Sequence, residues 1–132
     1  MVIDSSAIVA ILLGEAETAD FSMAIERDVT RLICAPSVLE CHMRLHTVKG
    51  PAGVLALETL LNDIEADVRP ADASLVRIAG QAFEIYGRGR HQAGLNFGDC
   101  FVYALAKQTG EPILFKGNDF SKTDLEPVMA SR

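Results

Sequence analysis

Four acidic residues, Asp4, Glu40, Asp99 and Asp119, stand where a carboxylate can do chemistry. Asp4 ends the apolar run MVI, and Glu40 follows Pro36-Ser37-Val38-Leu39. Asp99 lies in GLNFGDCFVYALAKQTG (94–110), just ahead of the apolar stretch CFVYALA. Asp119 lies in the turn-rich segment KGNDFSKTD (116–124). Each has an ordinary structural explanation. Asp4 can cap a following helix. Ser37 to Glu40 has the spacing of a capping box, and Glu40 can pair with Arg44 one turn on. Asn96 to Asp99 has the same spacing, and Asn118-Asp119 can shape a turn. Gathered together, the four mean something else. Two carboxylates about 4 Å apart repel by roughly 4 kcal/mol at an effective dielectric of about 20. Such a cluster takes up protons or holds a cation. Oxygen-only donors suit Mg²⁺ or Mn²⁺. A divalent cation among carboxylates fits phosphodiester hydrolysis, because it activates water and stabilises charge on the phosphate.

Whether the acids gather depends on the elements between them. Short apolar runs predict strands at 1–4, 31–35, 66–70 and 111–115. Helical spacing predicts helices over 6–13, 15–28 and 36–48. KGP (49–51) breaks the chain, and the stripe Val54, Leu57, Leu61, Ile64 predicts a further helix over 52–65. Asp72 caps the next helix and Gly87 stops it; Asn96 caps the last and Gly110 closes it. LEPVM (125–129) predicts a short edge strand whose pairing Pro127 limits. This alternation predicts an α/β fold: a mainly parallel central sheet of four or five strands with helices on both faces. Ligands of such sheets bind beyond the carboxyl ends of the strands, where the four acids fall.

The totals narrow the function. With 132 residues, one domain spanning 1–132 is expected. A net charge of −6 argues against a broad basic nucleic-acid surface but leaves room for a small basic rim. GRGRHQAG (87–94) and the loop after the fourth strand supply one: Arg88, Arg90, His91, Lys116 and Lys122. Three cysteines, an odd number without pairing spacing, argue against a disulfide framework, and Cys34, Cys41 and Cys100 are expected to pack as small hydrophobes. No apolar run reaches the roughly 18 residues of a membrane span, and the N-terminus lacks a basic start, so a cytoplasmic protein is expected. His42 and His46 have a zinc-compatible spacing but no recognisable third ligand. Without a Gly-x-Ser-x-Gly segment, a serine hydrolase has no support.

MVIDSSAIVAILLGE, Ser37-Val38-Leu39-Glu40, GLNFGDCFVYALAKQTG and ILFKGNDFSKTD, in that order, resemble the PIN-domain family, and in particular the VapC toxins of bacterial type II toxin–antitoxin pairs. The resemblance covers nearly the whole chain and implies a Mg²⁺-dependent endoribonuclease in which Mn²⁺ can substitute. It also implies a VapB-type antitoxin as inhibitor and a homodimer. The family's acidic set falls on Asp4, Glu40, Asp99 and Asp119, and its hydroxyl near the first acid on Ser5 or Ser6. The family often has Thr directly after that acid, where this chain has Ser5. Asp4, Glu40 and Asp99 are then expected to hold the metal, and Asp119 a second metal or the water. Arg88, Arg90, His91 and Lys116 are the candidate RNA contacts. Met23, Met43, Phe21 and Phe83 fit core or interface stripes. The apolar surplus in helices 5–13 and 52–65 is expected to meet a second copy or the antitoxin.

Three other readings fare less well. A phosphoacceptor receiver domain needs paired acids after strand one and an Asp ending strand three; this chain has a lone Asp4 and Arg69-Pro70. A phosphatase with an Asp nucleophile typically carries Asp-x-Asp, where Ser6 stands here. A silent interaction module does not account for a complete acidic set.

Overall fold

The structure, a computed structural model, describes residues 1–129. Four strands, β1 (Val2–Ile3), β2 (Leu32–Cys34), β3 (Asp67–Arg69) and β4 (Ile113–Leu114), form a parallel sheet in the order β3-β2-β1-β4. The helices are α1 (Ser5–Leu12), α2 (Thr18–Arg27), α3 (Ala35–Asp63), α4 (Ala73–Tyr86) and α5 (Phe97–Thr109). The expected α/β architecture is therefore present.

Strand side chains alternate between two cores, as the pleat requires. Val2, Leu32, Cys34 and Ile113 pack with α4 and α5 through Leu75, Ala79, Val102 and Leu105. Ile3, Ile33 and Leu114 pack with α1, α2 and α3 through Ile8, Phe21, Ile25 and Leu45. Burial on both faces explains why β1, β2 and β4 read as continuous apolar runs. β3 is an exposed edge, blunted by the Arg69–Asp67 pair at 2.8 Å.

The two-residue strand β1 is central yet short. Backbone bonds beyond its ends hold it: Val2 N–H to the Pro112 carbonyl at 2.8 Å, and Asp4 N–H to the Leu114 carbonyl at 2.9 Å. Asp4 is thereby fixed at the carboxyl end of the sheet.

Several expectations are refined. Residues 125–129 contribute one parallel bridge, Ile113 to Pro127, rather than a fifth strand. Pro127 has no N–H, and the two flanking bonds are Ile113 N–H to Glu126 and Val128 N–H to Ile113. The helices predicted at 36–48 and 52–65 join as α3, whose path turns at Gly50 (φ 63°, ψ −152°) ahead of Pro51. The apolar residues of α1 do not form a free surface. Ala7, Ile8 and Ala10 are buried, and Val9, Ile11, Leu12 and Leu13 pack against the same core. Exposed apolar residues fall instead on α3, at Leu39, Met43, Val48 and Leu55, on α4, at Val76, Phe83 and Ile85, and at Phe97 in α5. Phe21 is core, whereas Met23 and Phe83 are exposed. All three cysteines are free and buried, and burial pushes the Cys34 thiol up to about 11 and Cys41 to about 12.

The α3 bend brings buried Gly53 against its own helix. A Cβ at Gly53 would lie 2.5 Å from the Leu45 carbonyl oxygen. Gly53→Ala should therefore destabilise the protein by about 1–3 kcal/mol, although alanine ordinarily favours helix. Urea denaturation measures it; a stabilised variant would show that the bend relaxes freely.

Candidate active site

Asp4 is the hub of the site. It is the N-cap of α1 and is buried, 6 % exposed. Its Oδ2 accepts from Ser6 N–H at 3.0 Å and from the Ser6 hydroxyl. The same hydroxyl accepts from Lys116 N–H at 2.9 Å, which ties the ends of β1 and β4 together. Burial raises the Asp4 pKa; the Ser6 bonds oppose the rise and the charge of Asp119 adds to it.

Asp99 meets its expected capping role and a second one. The Asn96 side chain accepts from Asp99 N–H at 2.9 Å, while Asp99 Oδ2 accepts from Asn96 N–H at 3.1 Å. This reciprocal cap uses Oδ2 and locks the carboxylate to the start of α5. Burial pushes its pKa up to about 7; the Asn96 bond opposes that, and repulsion from Asp4, Asp119 and Glu40 reinforces it.

Glu40 does not cap. The N-cap of α3 is Cys34, so Ser37 lies inside the first turn, and the expected capping box is absent. Among the described residues Glu40 forms no ion pair with Arg44. Its carboxylate instead rests on Gly98 in α5, where any Cβ would overlap it. Ser5 Oγ makes a long contact to Glu40 Oε2 at 3.5 Å. Burial and then the charge of Asp4 raise the Glu40 pKa.

Asp119 is exposed, precedes a 3-10 turn at Phe120–Lys122 and makes no side-chain cap. Phe120 anchors it by packing edge-on against Phe115. Further along, Asp124 accepts from the Tyr103 hydroxyl at 2.6 Å and from Lys107 at 2.8 Å, which fastens the loop to α5.

The four acids are thus coupled by charge around Asp4. Among the described residues no three His, Cys, Asp or Glu side chains close into a ready-made cage. Mg²⁺ takes one or two carboxylates and retains waters, so it needs no such cage. The donor set is all oxygen, and burial disfavours the charged forms of Asp4, Glu40 and Asp99, so the residues fit such an ion.

The sequence profile of the PIN domain matches residues 1–126. The chain belongs to the PIN-domain family. Ribonuclease VapC30 of Mycobacterium tuberculosis is 43% identical over 128 residues, covering 97% of this chain and 98% of that protein. Ribonuclease VapC28 of the same organism is 41% identical over 133 residues, covering both chains fully. Among solved structures, VapC20 of M. tuberculosis, titled a sarcin-ricin loop cleaving toxin, superposes with a TM-score of 0.78 over 94% of this chain and 95% of its own, at 15% identity. That likeness concerns the fold.

Within this PIN domain the basic residues diverge. Lys116 is occupied, paired with Glu15 and with Glu17 at 3.2 Å. His91 Nδ1 accepts from Ala93 N–H at 3.0 Å, and its ring meets Tyr86 edge-on. Arg88 and Arg90 are exposed. His42 and His46 stack on α3, with ring centroids 6.3 Å apart. The seat at Gly98 and the Tyr103–Asp124–Lys107 clamp went unnoticed in sequence. The available signal was a glycine inside a helical pattern, which commonly has a packing reason.

Two outcomes follow from this geometry. Gly98→Ala should leave stability within about 1 kcal/mol, since the Glu40 side chain can swing away. It should cut Mn²⁺ affinity roughly ten-fold or more, as measured by calorimetry; unchanged affinity would remove Glu40 from the site. For Asp99 the folded pKa of about 7 exceeds the unfolded value of about 3.9. The unfolded chain therefore binds fewer protons between these values, and metal-free stability falls as pH rises from about 4 through 7. Asp99→Asn keeps the cap acceptor without the charge. In chelator it should melt above the wild type at about pH 8, with the gap closing towards pH 4.

Proposed function

We propose that this PIN domain is a Mg²⁺-dependent endoribonuclease, the toxin of a type II toxin–antitoxin pair, active also with Mn²⁺ and restrained by a VapB-type antitoxin. The observation that carries the reading is the coupling of Glu40, Asp99 and Asp119 to buried Asp4, on a chain more than two-fifths identical to a named VapC ribonuclease. No described helix is long and apolar enough to cross a membrane; we place the protein in the cytoplasm, where RNA and antitoxin meet it.

Asp4, Glu40 and Asp99 would hold the metal, directly or through water. When bound, the ion supplies a water nucleophile at neutral pH and stabilises charge on the phosphate. Ser6 and Asn96 fix the carboxylates before substrate arrives, so little reorganisation is needed. Ser5 steadies Glu40. Asp119, on its exposed turn, orients the water or holds a second, weaker ion. Water forms the new P–O bond, the P–O3′ bond breaks, and the leaving O3′ takes up a proton. The products carry a 5′-phosphate and a 3′-hydroxyl.

Exposed Leu39 and Met43, one turn apart on α3, support a protein partner, either a second copy or the antitoxin's apolar segment. One domain spanning 1–132 carries the whole activity.

Purified, antitoxin-free protein incubated with total RNA tests this reading. Discrete fragments should appear with Mg²⁺ or Mn²⁺ and vanish in chelator. Asp4→Asn and Asp99→Asn should each slow cleavage on the order of 100-fold or more. Wild-type rates in these variants would overturn the assignment of the site.

A further inference from the structure

β4 brings the chain to the carboxyl end of the sheet and passes it to the turn that carries Asp119. Lys116 stands at that junction, with both its backbone and its side chain engaged. Its N–H donates to Ser6 Oγ at 2.9 Å, and the Ser6 hydroxyl donates to Asp4 Oδ2. Its ammonium donates to Glu15 and lies 3.2 Å from Glu17 Oε2. Ser6 is in the first turn of α1, whereas Glu15 and Glu17 lie between α1 and α2. One residue therefore bridges both ends of α1. The glutamate end is itself tied down. Glu15 N–H donates to the Ala10 carbonyl at 2.9 Å, and Thr18 Oγ1 donates to the Glu15 carbonyl at 2.7 Å. Glu17 Oε2 is closed off from solvent without a hydrogen-bond partner among the described residues, so the Lys116 charge is its counterpart. Past Lys116 the chain turns through Gly117, at φ 100°, and reaches Asp119 two residues later.

We propose that Lys116 is a positioning residue of the acidic site and not an RNA contact: anchored on Glu15 and Glu17, it holds Ser6 against Asp4 and fixes where the Asp119 turn begins. The proposal rests on the metal-dependent nuclease reading and adds Lys116, Glu15 and Glu17 to the support of that site. With the ammonium held, the Lys116 N–H stays on Ser6 Oγ, and the hydroxyl proton stays directed at Asp4 Oδ2. Asp4 then keeps one orientation, which a ligand of a small, exacting ion requires. Without the anchor, residues 116–119 can shift and the Ser6 hydroxyl can turn, so Asp4 and Asp119 both lose their placement. Half-exposed ion pairs contribute little to stability, because solvent screens them. The anchor's effect is therefore expected at the carboxylates rather than in the melting temperature.

Lys116→Met, and Glu15→Gln combined with Glu17→Gln, remove the anchor from opposite sides. Calorimetry should show Mn²⁺ binding weakened about ten-fold in both. The shared sign separates placement from charge. Through charge alone, losing the lysine would favour the cation, and losing the glutamates would disfavour it. All three substitutions together should weaken binding little further, as for groups that act as one unit, and Lys116→Arg should keep most of the affinity. Labelled total RNA, bound in chelator, should show the same affinity and salt dependence for every variant. Melting in chelator checks folding, and Lys116→Gln replaces Lys116→Met if that variant fails to fold. Unchanged Mn²⁺ affinity on either side, or changes of opposite sign, overturns the proposal. So does RNA binding that weakens in Lys116→Met and tightens when the glutamates are lost, because the lysine then reaches for phosphate. Cleavage of total RNA by the wild type is scored separately. Mn²⁺ binding without cleavage sinks the nuclease reading while the variants still decide the anchor; a wild type that does neither sinks both.

Discussion

Asp4 at the end of a buried strand is coupled by charge to Glu40, Asp99 and Asp119, and the candidate site depends on that repulsion. Water would screen it, but Asp4 is nearly sealed from solvent. The fold answers with fixed dipoles. Asp4 and Asp99 each sit at a helix start, where backbone N–H groups face the charge and the helix dipole favours an anion. Those bonds offset only part of the burial cost, so the carboxylates still resist ionisation. In the proposed nuclease a cation would relieve the remaining imbalance: positive charge is worth most where negative charge is least comfortable.

Capping and chemistry are not competing explanations here. In the proposed nuclease Asp4 and Asp99 do both, because one oxygen of a carboxylate can serve the backbone while the other faces the site. Capping also removes rotamer freedom, which a ligand of a small, exacting ion must lack. Glu40 and Asp119 do neither job of capping, and they are held differently. Glu40 leans on the bare backbone of Gly98, whereas Asp119 rides a turn pinned by Phe120 on one side and by the Asp124 clamp on the other.

Charge is partitioned along the same lines. The acids lie at the carboxyl end of the sheet, and Lys116, at the end of β4, is spent on Glu15 and Glu17. Arg88 and Arg90 form no ion pair among the described residues, and the Arg90 guanidinium lies over the exposed Phe83 ring. A chain of net charge −6 can still meet a polyanion if its few free cations stand where the strand must lie.

The α/β alternation and the parallel sheet were legible in the sequence, because apolar runs, caps and glycine stops are local signals. The N-cap at Asn96 and the break at Gly50 were legible for the same reason. Other features belong to tertiary structure alone. Ser37 and Glu40 have capping-box spacing, yet the helix begins earlier because β2 delivers the chain straight into it at Cys34. LEPVM has strand-like composition, but only one residue finds a partner on β4. The surplus of α1 looked like a docking face until the kinked α3 packed over it. Gly98 beneath Glu40, Lys116 turned to its glutamates and Phe97 left in solvent depend on residues far apart in the chain. Sequence spacing names the groups able to do chemistry; which of them meet, and what burial does to their charge, is decided by how the helices pack across the sheet.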